Sequence, residues 1–186
     1  MIWGSSLGKY ISNATAVLSL ALVPTGLSAD LADNGFMPPS LPVLNVAVGV
    51  VVRDGLILIT RRPVNVPLAG LWEFPGGKLE PGETPEAAVV RELQEELRLS
   101  VVPQRRLSQI VHDYPQARVV LTPMYCVIVD GEPQAVGCSE FRWVPPHALS
   151  TFDFPAANRP LLDELIATPL QNPPPPDTLA RPNPGD

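Results

Sequence analysis

Residues 76–99 read GGKLEPGETPEAAVVRELQEELRL, and the second half of that stretch predicts a helix with an internal conflict. Thr84-Pro85-Glu86 supplies an N-cap hydroxyl, a proline at the first helical position and an early acidic residue, opening a helix expected over 85–98. Val89, Leu93 and Leu97 form its apolar stripe. Glu92, Glu95 and Glu96 follow the spacing i, i+3, i+4 and so fall within an arc of about 100° on one face. Like charges at that spacing destabilise a helix by about 0.2–0.5 kcal/mol per pair, and carboxylates near its C-terminus oppose the helix dipole. Such a face is either solvated, with Arg91 and Arg98 as local partners, or set against a cation. Glu83 adds a carboxylate just before the helix, and the Gly76-Gly77 turn lets main-chain carbonyls approach the same face closely. Oxygen donors converging without His or Cys select Mg²⁺ or Mn²⁺ over zinc, and these ions usually bring substrate phosphates with them.

Outward from this helix the chain reads as one mixed α/β domain. Upstream, Leu44 to Val52 and Leu56 to Thr60 are apolar and β-branched around an Arg53-Asp54-Gly55 turn, which predicts a hairpin. Residues 61–83 are a Pro/Gly-rich loop holding a short strand-like segment, and a long loop inside a small domain is usually functional. Downstream, strands are expected over 101–111 and 119–129, joined by a turn near Pro115, with another over 141–144 and a closing helix over 161–167. The expected organisation is an N-terminal extension (1–42), a domain (43–168) and a tail (169–186) in which seven of 18 residues are proline. The apolar run 14–23 is too short for a membrane span. It has the length of a signal-peptide core, but Leu27-Ser28-Ala29 is a mediocre cleavage site, so a cytoplasmic location is expected.

Composition excludes several classes of function. Of 186 residues only two are lysine, and the formal net charge is -6, which argues against binding along a nucleic-acid polymer. Cys126 and Cys138 form neither a CxxC nor a Cys/His cluster, so no structural zinc or disulfide framework is indicated.

The segment Gly77-x5-Glu83-x7-Arg91-Glu92-Leu93-x-Glu95-Glu96 resembles the Nudix box, G-x5-E-x7-R-E-U-x-E-E-x-G-U with U apolar. One position departs: the late glycine is Arg98, which puts the helix terminus in doubt more than the metal site. Further segments are similar to the MutT subgroup in the same order: Ala47-Val48-Gly49, Thr60-Arg61-Arg62, Leu71 to Lys78, Tyr114-Pro115 and Asp153 to Asn158. The resemblance covers about residues 44–167 and implies an α/β/α sandwich, with a mixed sheet between the box helix and the C-terminal helix. It implies Mg²⁺-dependent hydrolysis of a nucleoside triphosphate to monophosphate and pyrophosphate. The expected substrate is 8-oxo-dGTP, whose removal keeps oxidised guanine out of replicating DNA. The alternatives are a CTP-type pyrophosphohydrolase, which shares the Leu71 to Lys78 stretch, and a non-catalytic nucleotide-binding module. A monomer or weak dimer is expected.

Residue roles follow from the same resemblance. Glu96 and the Gly76 carbonyl would hold a divalent ion, Glu92 and Glu95 further ions or their bridging water, and Glu92 would be the base. Arg91 is either a phosphate contact or a salt bridge to Glu83 or Glu95 that orients carboxylates. Arg62, Glu73, Phe74, Pro75, Gly76 and Lys78 form the expected substrate-binding set, with Arg61 facing solvent and Phe74 and Trp72 each either near the base or in the core. Asn158 is the candidate base reader, because an amide can pair bidentately with a purine edge; its alternative is a cap before Pro160. Glu140, the nearest carboxylate before Phe141, is the candidate for a later acidic residue that assists the metal, although ungapped comparison lands on Gly137.

Overall fold

Strand β1 (Val43–Arg53) is apolar nearly throughout because both of its faces are covered. Ala47 and Val51 pack on one side with Ala88, Val89, Leu93 and Leu97 of α1 (Pro85–Leu97). Val48, Val50 and Val52 pack on the other with Leu161, Leu162 and Leu165 of α2 (Arg159–Ala167). The computed structural model describes residues 41–168, so the expected extension and tail lie outside the described residues, apart from the extension's last two positions. Among the described residues no helix is long and apolar enough to cross a membrane.

The remaining strands are β2 (Leu56–Arg61), β3 (Trp72–Glu73), β4 (Gly76–Lys78), β5 (Ser100–Arg106), β6 (Ile110–Tyr114), β7 (Ala117–Asp130) and β8 (Glu140–Val144). The sheet is mixed, as expected: β1 and β7 run parallel from Val43 opposite Arg118 to Val51 opposite Cys126, and the other pairings are antiparallel. Its order is β3-β2-β1-β7-β5, with β4 on β1, β6 on β7 and β8 on β2. The expected hairpin exists, but its pairing is confined to Val52–Ile57 and Arg53–Leu56; earlier on β1, Val46 to Val48 pair with β4 instead, while β7 runs along the opposite edge.

The single strand expected over 101–111 is two. β5 pairs with the second half of β7 and β6 with the first, and the break falls at Leu107, which turns its side chain into the core. Pro123 explains the position: its carbonyl accepts the Leu107 N–H at 2.9 Å, and its ring nitrogen has no proton to return, so the ladder cannot continue.

Helix α1 starts as its cap predicts, with Thr84 Oγ1 accepting from Ala87 N at 3.2 Å. It ends one residue before the expected boundary. Arg98 takes a left-handed conformation, φ 58 and ψ 26, in the place of the box's missing glycine, and its N–H reaches Gln94 O at 3.1 Å. The loop before β8 then closes over this end, with Gln134 N donating to Leu97 O and Val136 N and Gly137 N both donating to Glu96 O.

Candidate active site

The acidic face of α1 divides when the helix docks. Glu92 and Glu96 turn inward, 0% and 5% exposed, while the Glu95 side chain stays half exposed on the rim, 3.6 Å from Arg91. The inward pair meets the turn at β4, whose shape depends on two glycines. Gly76 has φ 149, and a Cβ there would stand 2.7 Å from Val48 Cα. Gly77 faces Glu92 so closely that a Cβ would lie 2.5 Å from its Cδ.

Arg91 binds this corner together. It donates from Nε and Nη2 to both oxygens of Glu83, at 2.8 and 2.9 Å, from Nη2 to Lys78 O at 3.1 Å, and from Nη1 to Glu92 Oε1 at 2.8 Å. Those hydrogen bonds hold the Glu83 carboxyl below the ordinary range and the Arg91 guanidinium above its own. Glu92 Oε2 is buried without a hydrogen-bond partner. Burial raises the pKa of Glu92, against the pull of Arg91. Glu96 Oε2 accepts from Gly76 N at 3.2 Å, and burial together with the charges of Glu73 and Glu92 holds its carboxyl well above 4.5.

Orphaned and mutually repelling carboxylate oxygens fit a hard divalent cation, which would replace the missing hydrogen bonds and cancel the repulsion. Among the described residues no three His, Cys, Asp or Glu side chains are gathered closely enough to hold an ion by themselves. Mg²⁺ is commonly held by one or two carboxylates, with water and substrate phosphate as its other ligands.

Beside the carboxylates opens a cavity lined by Arg62, Glu73, Phe74, Gly76, Gly77, Lys78, Tyr114 and Asn158, with Val46, Val48 and Leu121 among its apolar walls. Most of the expected substrate-binding residues therefore meet in one place. Arg62 donates from Nη1 to Glu73 Oε2 at 2.6 Å and from Nε to Pro67 O at 2.8 Å, so it organises the loop as well as facing the cavity. Burial raises the Glu73 carboxyl, countered by Arg62, and burial lowers Lys78. Phe74 is 1% exposed and packs against Phe154, while Trp72 packs edge-on against Phe152 in the core. Pro75 contributes its carbonyl to Gly49 N at 2.8 Å. Asn158 is buried at the start of α2, lines the cavity and makes no side-chain capping bond, so the cap alternative falls.

Glu140 is not brought to the cluster. Its place opposite Arg61 in the β2–β8 register commits the carboxylate to Arg142 at 2.5 Å and Arg61 at 3.7 Å. Gly137 lies at the site instead, where a Cβ would be 3.1 Å from Glu96 Cα. Sequence reasoning assigned no role to Tyr114, which lines the cavity and whose hydroxyl accepts from Ala157 N at 3.3 Å. Its position in a MutT-like segment was the available signal.

Comparison with known proteins gives the same direction. The NUDIX domain family model matches residues 47–164. The 8-oxo-dGTP diphosphatase of Escherichia coli strain K12 is 37% identical over 123 residues, which cover 66% of this chain and 95% of that protein. The CTP pyrophosphohydrolase of the same strain is 31% identical over 127 residues, covering 68% of this chain and 94% of the relative. The crystal structure of the MutT protein from Methanosarcina mazei Go1 superposes with a TM-score of 0.62 at 25% identity, covering 68% of this chain and 94% of that one.

Proposed function

This chain belongs to the NUDIX domain family and is a Nudix hydrolase, and we propose that it hydrolyses a nucleoside triphosphate, preferentially 8-oxo-dGTP, to the monophosphate and pyrophosphate. The observation that carries this reading is the buried carboxylate pair: Glu92 has an orphaned oxygen and Glu96 is crowded by like charge, at the edge of a cavity that Asn158 also lines. The 37%-identical diphosphatase supports the choice of nucleotide.

In this reading Glu96 and the Gly76 carbonyl hold Mg²⁺ or Mn²⁺, with Glu92 and Glu95 on further ions or their water. When bound, the ion lowers the pKa of coordinated water and offsets charge on the phosphoryl oxygens. Glu92 takes the proton of the attacking water at Oε2, the oxygen that no protein donor occupies. Arg91 holds Glu83 and Glu92 in place rather than touching phosphate, since four of its five N–H donors are committed to Glu83, Glu92 and Lys78 O. Lys78 approaches the phosphates. Arg62, Glu73 and Phe74 shape the nucleotide side of the cavity, where Asn158 offers a donor and an acceptor to the base edge, while Pro75 acts on it through its carbonyl bond to Gly49 N. Glu140, committed to its arginines, is left out of the metal set.

The 31%-identical CTP pyrophosphohydrolase favours a second reading, the same apparatus acting on a pyrimidine triphosphate. Pyrophosphate release over 8-oxo-dGTP, dGTP and CTP in Mg²⁺ separates the two. Fastest turnover of 8-oxo-dGTP is expected, and indifference to it overturns the preferred substrate. Glu92→Gln and Glu96→Gln are expected to lose at least about 10²-fold in turnover. Turnover unchanged in both folded variants would instead overturn the roles assigned to these two carboxylates.

A further inference from the structure

The amide of Asn158 can read a base only if the short turn beneath it is held still. That turn, Ala156–Asn158, is a single 3₁₀ segment, closed internally by Asn158 N donating to Pro155 O at 3.0 Å. Its upstream approach is fixed to the loop that carries Glu73: Trp72 N donates to Asp153 O at 2.8 Å, and Phe152 and Phe154 pack on Trp72 and Phe74. Downstream, Leu161, Leu162 and Leu165 anchor α2 in the core. At the turn itself, the side chain that reaches in from elsewhere in the fold is Tyr114. Its hydroxyl accepts the N–H of Ala157, the residue immediately before Asn158, at 3.3 Å.

Tyr114 is well placed to set a height. It is the last residue of β6, backed edge-on by His112 at 4.5 Å, and it lines the cavity on which Asn158 borders. A bidentate amide contact tolerates displacements of only about 0.5 Å. The lateral hydrogen bond to this turn, beside the reading amide, is where such a displacement would originate.

We propose that Tyr114 is a positioning residue for base selectivity: its phenol oxygen fixes the Ala156–Asn158 turn and so the depth at which the Asn158 amide meets the base. The inference rests on the proposed reading that the base occupies this cavity and that Asn158 contacts it. Phenylalanine at 114 would keep the ring and its packing while leaving the Ala157 N–H without its partner.

The test compares wild type, Tyr114→Phe, Asn158→Ala and the double variant, measuring kcat/KM for 8-oxo-dGTP, dGTP, CTP and a base-free deoxyribose triphosphate. Tyr114→Phe is expected to lower kcat/KM for the preferred nucleotide about 3- to 10-fold, the scale of one hydrogen bond, and to narrow the ratio between bases. Its rate on the base-free triphosphate should match wild type, which also shows that the fold and the phosphate site are intact. The double variant should be no worse than Asn158→Ala, because the tyrosine acts through the asparagine. Unchanged selectivity in Tyr114→Phe, an equal loss on the base-free substrate, or losses that multiply in the double variant would each overturn the inference alone. Selectivity untouched by Asn158→Ala would overturn the base-reading role of Asn158, and this inference with it.

Discussion

Replacing Gly77 with alanine should cost this enzyme far more turnover than stability. The added Cβ would stand 2.5 Å from Glu92 Cδ and 2.9 Å from its Oε2, where unstrained carbon–carbon contact needs about 3.5 Å. The carboxylate must therefore withdraw by about 1 Å. Glu92 is fully buried and its Oε1 is held by Arg91, so the movement strains a charge-assisted hydrogen bond and compresses packed neighbours. Overpacking of this kind costs about 1–3 kcal/mol, a drop in melting temperature of several degrees for a domain of this size. A carboxylate is nevertheless the end of a flexible side chain, so the fold survives. Catalysis is less tolerant: a misplacement of about 1 Å is worth about 10²-fold in rate.

The assay is kcat at saturating nucleotide and Mg²⁺, with a thermal melt on the same preparation. Gly82→Ala is the control, because its φ of +80 imposes backbone strain of about 1–2 kcal/mol while the Cβ points into open space. It should melt lower and turn over normally. A folded Gly77→Ala protein with wild-type kcat would refute the claim that the missing Cβ sets the position of the Glu92 oxygens.

Two further predictions concern the ends and the charge of the same helix. Arg98→Gly should stabilise the protein by about 0.5–1 kcal/mol in denaturant titration, because relief of the left-handed strain exceeds the added flexibility of the unfolded chain. The Arg98 side chain is exposed and makes no ion pair among the described residues, so turnover should not change; a destabilised variant would show that strain is not what distinguishes this position. Burial and like charge hold Glu96 well above 4.5, so the native state retains a proton that the unfolded chain releases, and metal-free stability should fall as pH rises through the interval above 4.5. Mg²⁺, which requires the deprotonated carboxylate, should raise the melting temperature more at the upper end of that interval, and Glu96→Gln should flatten both trends. Melts that show no pH-dependent difference between wild type and Glu96→Gln would count against the buried-charge account.

What the sequence made legible was local. The cap at Thr84, the apolar stripe of α1 and the crowding of Glu92, Glu95 and Glu96 are all decided within one or two helical turns, and each is found as read. The same spacing could not say that Glu92 and Glu96 enter the protein while Glu95 stays on the rim. That division is made by the docking of α1 on β4, where Gly77 leaves room for one carboxylate. Glu140 misled for a related reason. It is close in the chain to where an acidic residue was sought, but its side chain is directed by the strand register that sets it opposite Arg61. The break at Leu107 depended on Pro123, sixteen positions later and on another strand, and the pairing of Tyr114 with Ala157 spans 43 positions. Neither leaves a periodic trace.

The conflict seen in the sequence is relocated by the fold rather than removed. Four largely buried carboxylates, Glu73, Glu83, Glu92 and Glu96, face the guanidinium groups of Arg62 and Arg91. Arg91 satisfies Glu83 completely and Glu92 by one oxygen, and Arg62 pairs with Glu73. The surplus is two negative charges, concentrated on Glu96 and the orphaned Glu92 oxygen. Two kinds of partner would cancel it at the carboxylates themselves: protons, towards which the raised pKa values of both residues point, or one divalent cation. These would compete for the same oxygens, so under the proposed function Glu92 and Glu96 would hold a divalent ion only in their deprotonated forms, the form in which Glu92 can accept a proton from water. Under that function the repulsion that α1 tolerates would favour both a bound cation and the charge state that hydrolysis needs.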